Sequence, residues 1–236
     1  LARRLAPALP IALDPSLRVA QALGGVAGGP ALVIADERGR VVLDTTGALA
    51  AGESALRAIL ARTRPDAVLP PAAGGAPLPV VRELRFSPGR IAAGPLAGAE
   101  PGRERMYAPV FRYQEEGRPE TPYPVGEWRL DPDGLTATRG GAASFVAIRY
   151  SAARAGVVLS PPRDGAARVW VLRDGDWPAA AHRGEDVAAE GGAAVVEVRE
   201  PRLYWVDQGG GMRTLRLSPD RPGVTLHALV LADAPR

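Results

Sequence analysis

From about Arg105 to its end the chain repeats one pattern, in which short runs of alternating apolar and polar residues are separated by turn-forming residues. Successive side chains of a strand point to opposite faces, so each run can bury one face and wet the other, and repetition at this spacing favours two packed antiparallel sheets. About nine runs qualify: Glu127 to Leu130, Leu135 to Thr138, Ser144 to Tyr150, Gly156 to Ser160, Ala167 to Leu172, Ala194 to Val198, Arg202 to Asp207, Met212 to Leu217 and Val224 to Leu231. In the third, Val146, Ile148 and Tyr150 lie opposite Phe145, Ala147 and Arg149. Asp131-Pro132-Asp133-Gly134, Arg163-Asp164-Gly165 and Arg173-Asp174-Gly175-Asp176 supply turns. No long helix is expected beyond residue 105.

The region from Leu1 to about Arg64 reads differently. Leu9 to Leu13 is a short apolar strand, and Asp14 or Ser16 can cap a helix over Leu17, Val19, Ala20 and Leu23 that stops at Gly24-Gly25. Ala31 to Ala35 is a second strand, Glu37-Arg38-Gly39-Arg40 a hairpin turn and Val41 to Leu43 its partner. Leu56, Ile59 and Leu60 recur at helical spacing within Glu53 to Thr63, before Pro65. Residues 65–104 are rich in Pro, Gly and Ala and read as a linker, with a short hairpin suggested by Val80 to Phe86, Ser87-Pro88-Gly89 and Ile91.

Composition excludes several functions. The 236 residues contain no Cys, which removes disulfides, thiolate nucleophiles and Cys-bound metals together. All 29 basic residues are Arg, set against 26 acids for a formal charge of +3, and they are spread among Asp and Glu instead of forming a basic stripe. That argues against nucleic acid as a partner. There is no uninterrupted apolar run near the roughly 18 residues that a membrane span requires, and no cofactor-binding glycine loop, since Gln208-Gly209-Gly210-Gly211-Met212 has no Lys or helix after it.

Two resemblances add to this reading. The run Ile11 to Pro15, a helix through Ala22-Leu23-Gly24, and then Gly28-Gly29-Pro30-Ala31-Leu32-Val33-Ile34-Ala35-Asp36 resembles the second half of thioredoxin-like proteins. The resemblance implies that Pro30 is the cis-proline that sits beside the family's CxxC pair. A complete thioredoxin fold would need more chain before residue 9 than Leu1 to Ala8 supplies, so the catalytic half is missing from these residues. Second, Arg199-Glu200-Pro201-Arg202-Leu203-Tyr204-Trp205-Val206-Asp207-Gln208, with Thr214 to Leu217, Asp174-Gly175-Asp176-Trp177 and His182-Arg183-Gly184-Glu185-Asp186-Val187 around it, resembles the C-terminal module of DipZ-type bacterial thioredoxin fusion proteins. This implies a carbohydrate-binding-like jelly roll over residues 105–236, carried by proteins facing the periplasm or cell exterior. The expected fold is thus an α/β partial thioredoxin-like unit over residues 1–64, a linker over 65–104, and an all-β jelly-roll-like sandwich.

Candidate sites are few. A sugar-binding sandwich stacks exposed aromatic faces on pyranose rings while neighbouring polar groups bond the hydroxyls. Trp177, between Asp176 and Pro178, is the leading glycan candidate, followed by Trp205 with Asp207 and Gln208. In a chain with so few aromatics, core anchoring is the competing role for each ring. His182 with Glu185 and Asp186 is a weak metal set that lacks zinc spacing, so no metal is expected. His227 lies in an apolar terminal strand, where a histidine with its ring nitrogens satisfied is the expected role. Ser144, Ser151 and Ser160 stand in no nucleophile-elbow pattern, which argues against a hydrolase.

The expected function is a non-catalytic structural or binding subunit of an exported assembly, with a protein partner or a second copy completing the partial sheet beside Ala31 to Ala35. The alternatives are the distal part of a periplasmic thiol-disulfide oxidoreductase whose CxxC lies before Leu1, and a carbohydrate-binding module.

Overall fold

A computed structural model of the chain describes residues 31–35, 38, 40–46, 49–66, 68, 81–91, 93–108 and 117–233. The strand expected over Leu9 to Leu13, the helix after it and the cis-proline assignment at Pro30 all lie outside the described residues. The chain divides into two units, residues 1–78 and 79–236.

In the first unit, β1 (Ala31–Ala35) and β2 (Val41–Thr46) form an antiparallel hairpin. Helix α1 (Leu49–Thr63) follows. It carries a partly buried i,i+4 ion pair, Arg57 Nε to Glu53 Oε1 at 2.8 Å. Pro65, which has no N–H to continue the ladder, follows its end.

The second unit is a β-sandwich of twelve antiparallel strands: β3 (Val81–Arg85), β4 (Glu104–Tyr107), β5 (Pro122–Asp131), β6 (Gly134–Ala137), β7 (Phe145–Ser151), β8 (Arg154–Ser160), β9 (Ala167–Arg173), β10 (Val187–Glu190), β11 (Ala193–Val198), β12 (Arg202–Gln208), β13 (Met212–Pro219) and β14 (Thr225–Ala232). One sheet runs β10-β11-β9-β13-β7-β5 and the other β5-β6-β14-β8-β12, so β5 belongs to both. Its first half, Pro122 to Val125, pairs with β7, while Gly126 to Asp131 pairs with β4 and β6. All nine runs read from alternation are strands, and the faces of β7 divide as the pattern requires. Val146, Ile148 and Tyr150 enter the main core, and Phe145 and Ala147 join a smaller cluster with Val125.

Gly126 marks the point where β5 changes sheets, and it is held at φ +87°, a conformation that costs side-chain-bearing residues energy. A Cβ there would sit 2.5 Å from Ser144 Oγ and 2.9 Å from the Ala143 carbonyl oxygen. Gly126→Ala is therefore expected to destabilise the sandwich by about 2 kcal/mol, combining backbone strain with overpacking. Urea denaturation would measure it, and an unchanged midpoint would show that the corner tolerates a side chain.

Of the linker expected over residues 65–104, nearly all of 67–80 lies outside the described residues, whereas 81–91 and 93–104 belong to the sandwich. Instead of pairing in a local hairpin, β3 pairs with β14, and Phe86, Ile91 and Leu96 enter the core after it. Phe86 is fully buried, a burial that contributes about 1.5–3 kcal/mol. Its N–H donates to the His227 carbonyl at 2.8 Å. The Pro and Gly content of this segment reflects turns packed against the sandwich. β14 offers one edge to β6 at Thr225 and Leu226 and then to β3 from Ala228 to Ala232, so the early strand continues the line of β6.

Candidate functional site

The motif Arg199 to Gln208 lies along β12, the last strand of its sheet, and most of its distinctive residues are structural. Tyr204 is buried, and its hydroxyl donates to the Glu200 carbonyl at 2.8 Å while accepting from the Arg199 N–H at 3.3 Å, which ties the strand to its own entry corner. The Arg202 guanidinium stacks 3.7 Å from the centroid of the Tyr204 ring and donates from Nη2 to Asp186 Oδ1 at 2.8 Å. Asp186 Oδ2 accepts the Trp205 N–H at 2.8 Å, and the Asp186 N–H donates to the Trp205 carbonyl at 3.2 Å. The loop His182 to Asp186 thereby covers the edge of β12 that β8 leaves open. It lies so close that a Cβ on Gly184 would be 2.2 Å from the Trp205 carbonyl oxygen.

The three weak metal candidates therefore point to different partners. Glu185 pairs with Arg154, Asp186 with Arg202 and the Trp205 N–H, and His182 turns its buried Nδ1 toward Gly209. Among the described residues no group of His, Asp and Glu is placed to hold a metal ion.

Beneath this loop lies a buried polar centre. Asp207, only 2% exposed, accepts a hydrogen bond from the Tyr150 hydroxyl, and Arg173 Nε lies 3.0 Å from its Oδ1. The Arg173 contact is an ion pair by distance, since the N–H is not aligned for a hydrogen bond. Burial pushes the Asp207 carboxyl above the usual carboxylate range, while the Tyr150 hydrogen bond and Arg173 pull against that rise. Burial, reinforced by the Asp207 charge, raises the Tyr150 hydroxyl far above its ordinary value and keeps it a donor.

This arrangement redistributes the glycan candidates. Asp207 is enclosed and cannot meet a ligand hydroxyl, so its place in that set is corrected. Gln208 Nε2 faces the Ala181 carbonyl at 3.4 Å. Trp205 is half-buried, with the Arg154 guanidinium 4.3 Å from its ring centroid, so one face is already covered. Trp177 stays 45% exposed. Its loop is pinned by paired backbone bonds between Arg173 and Asp176 and by Arg183 Nε donating to the Pro178 carbonyl at 3.0 Å.

His227 has both ring nitrogens engaged, Nδ1 with the Asp133 carbonyl at 2.7 Å and Nε2 with Ser160 Oγ at 2.7 Å. Sequence reasoning named both residues and missed their meeting. Sixty-seven positions separate them, so no local spacing could signal the pair.

The family description "Thioredoxin like C-terminal domain" matches residues 97–230, all of them within the second unit. The comparison with curated proteins gives no match. Among solved structures, a family two carbohydrate esterase from Cellvibrio japonicus is similar at 12% identity and a TM-score of 0.37, over 48% of this chain and 31% of that one. A family two carbohydrate esterase from Clostridium thermocellum in complex with cellohexaose is similar at 16% identity and a TM-score of 0.32, over 45% of this chain and 30% of that one. The chain thus spans about three-tenths of the length of these solved chains. The family match covers more than half of the sequence, and the chain belongs to the family of the thioredoxin like C-terminal domain.

Proposed function

We propose that the protein is a binding or structural subunit of an exported assembly, performs no thiol-disulfide chemistry of its own, and makes its contacts through the loop end that carries Trp177. The observation carrying this reading is a large aromatic side chain, 45% exposed, on a loop that the protein already holds in place. A ring presented without ordering cost favours binding, because less conformational freedom is lost on association. Trp128 is fully buried and serves the core instead. The jelly-roll-like, carbohydrate-binding character implied by the DipZ-type resemblance belongs to the same proposal, with the exposed Asp176 taking the hydroxyl-bonding role that the enclosed Asp207 cannot fill. So does a partner strand beside β1, which among the described residues pairs only with β2.

Trp177→Ala is expected to shift stability by no more than about 0.5 kcal/mol and to weaken binding by about 30-fold, the size of a hot-spot truncation. A glycan array probed with both proteins checks this. An array profile unchanged in the variant removes Trp177 from the contact surface.

A second reading is favoured by the family description itself, which is both thioredoxin-like and C-terminal. In it, this chain is the distal part of a periplasmic thiol-disulfide oxidoreductase. Intact mass of the mature natural protein separates the two: a paired-thiol segment joined ahead of Leu1 establishes the second.

A further inference from the structure

The geometry points to a serine acyl-transfer centre formed by Ser160, His227 and Asp133, acting on short-chain acyl esters. This goes beyond the binding role proposed above and is independent of it. The centre is assembled from three elements that meet on the second sheet. Ser160 ends β8, His227 belongs to β14, and Asp133 lies in the turn between β5 and β6. The register of β14 against β8 shifts between Leu226 and Ala228, so His227 is the extra residue of a bulge. Bulges re-aim side chains, and this one turns the imidazole toward both of its partners. Gly134 makes the approach sterically feasible, since a Cβ there would sit 2.6 Å from the Leu226 carbonyl oxygen and 3.2 Å from the His227 Cα.

The proton positions follow from the partners. The Asp133 carbonyl can only accept, so Nδ1 carries the hydrogen, and the bond at 2.7 Å fixes the tautomer. Nε2 then has a free lone pair and accepts the Ser160 hydroxyl at 2.7 Å. The Asp133 carboxylate, with Oδ2 3.8 Å from Nδ1, faces the ring where positive charge develops once His227 is protonated. A serine bonded to a histidine that is itself oriented by a third group is the arrangement that activates a hydroxyl. Beside it opens a cavity of about 230 Å³ whose lining includes His227, Asp133, Val158, Ser87 and Arg85. Arg85, which lines the same cavity, directs Nε and Nη2 toward Glu83.

In the reaction, Ser160 Oγ bonds to the ester carbonyl carbon as its proton passes to Nε2. The tetrahedral oxyanion collapses, the bond to the alkoxy oxygen breaks, and the departing alcohol takes the proton from Nε2. Water then adds to the acyl-serine and gives its proton to Nε2, and Ser160 Oγ recovers a proton as the carboxylic acid departs. The sum is ester plus water giving acid plus alcohol.

The test treats the full chain with a fluorophosphonate and with 4-nitrophenyl acetate. Label is expected on the tryptic peptide 155–163, which contains Ser160. Ser160→Ala should abolish both labelling and turnover. His227→Gln, which keeps hydrogen-bonding capacity, should slow both by about 100-fold or more with an unchanged circular dichroism spectrum. Absence of label from that peptide in the folded protein overturns the proposal, as does nitrophenyl acetate turnover that persists in Ser160→Ala.

Discussion

Replacing Asp207 by alanine is expected to destabilise the β-sandwich by about 3–5 kcal/mol, the cost of removing one partner from a buried ion pair. The carboxylate is 2% exposed and the Arg173 side chain 10%, so water cannot take over the role of the missing group. Truncation leaves a guanidinium without its counter-charge and a buried Tyr150 hydroxyl without its acceptor. Asp207→Asn keeps the shape and an acceptor for Tyr150 and should lose about half as much. The pH dependence has a definite sign. Burial holds the Asp207 carboxyl above its unfolded value, so the folded state binds this proton more readily than the unfolded state does. Its contribution is fully present below the unfolded pKa and is lost as pH rises through the folded pKa. The stability difference between the parent and Asp207→Asn should accordingly move in favour of the parent on acidification. Guanidinium denaturation across that range checks both statements. A near-neutral Asp207→Ala would mean that the centre is wetter than its burial indicates.

What the sequence made legible tracks where water lies. The strands β5 to β9 and β11 to β14 send side chains into the core, so short apolar or alternating runs between turns exposed them, with β6 and most of β7 buried on both faces. β3 was read as part of a local hairpin within Val80 to Phe86 and its partner β14 was missed, while β4 and β10 escaped that reading for one shared reason. In Glu104–Tyr107 only Tyr107 is buried, and Val187–Glu190 is mostly exposed. Strands without a dry face, such as β4 and β10, carry little alternating signal, and the charges on Arg82, Glu83 and Arg85 of β3 are the kind that discourage edge pairing with other chains. The site was legible in part. The residues Arg199 to Gln208 stood out, yet their distinctiveness comes from tying a corner, holding an edge loop and burying a carboxylate, not from facing a ligand. The exposure of Trp177 was readable because a loop tryptophan between Asp and Pro has no core to enter. The meeting of Ser160 and His227 was not, because it depends on a register shift that no run of residues announces.

The edge loop yields the second large effect. Asp186→Ala is expected to cost about 3 kcal/mol and to make the protein self-associate more than the parent does. The Asp186 side chain is 7% exposed, and its two oxygens serve Arg202 Nη2 and the Trp205 N–H, each at 2.8 Å. Its removal strands a backbone donor and leaves Arg202, 16% exposed, with Glu200 at 3.8 Å as its one acidic partner among the described residues. What remains is the bond from the Asp186 N–H, the bridge between Arg183 and Asp207, the Arg154–Glu185 pair and the Gln208 contact with the Ala181 carbonyl, and the expected result requires that these do not hold the loop once the carboxylate is gone. Released, it uncovers the outer edge of β12, a row of backbone groups able to pair with the same edge of another molecule. Arg202→Met isolates the charge from the cover: it removes the ion pair while leaving the Trp205 N–H bond to Asp186, so it should lower stability without promoting association. Size-exclusion chromatography with light scattering, read beside denaturation midpoints, distinguishes the variants. If Asp186→Ala elutes as the parent does at every concentration tested, the loop is not what keeps this edge from pairing.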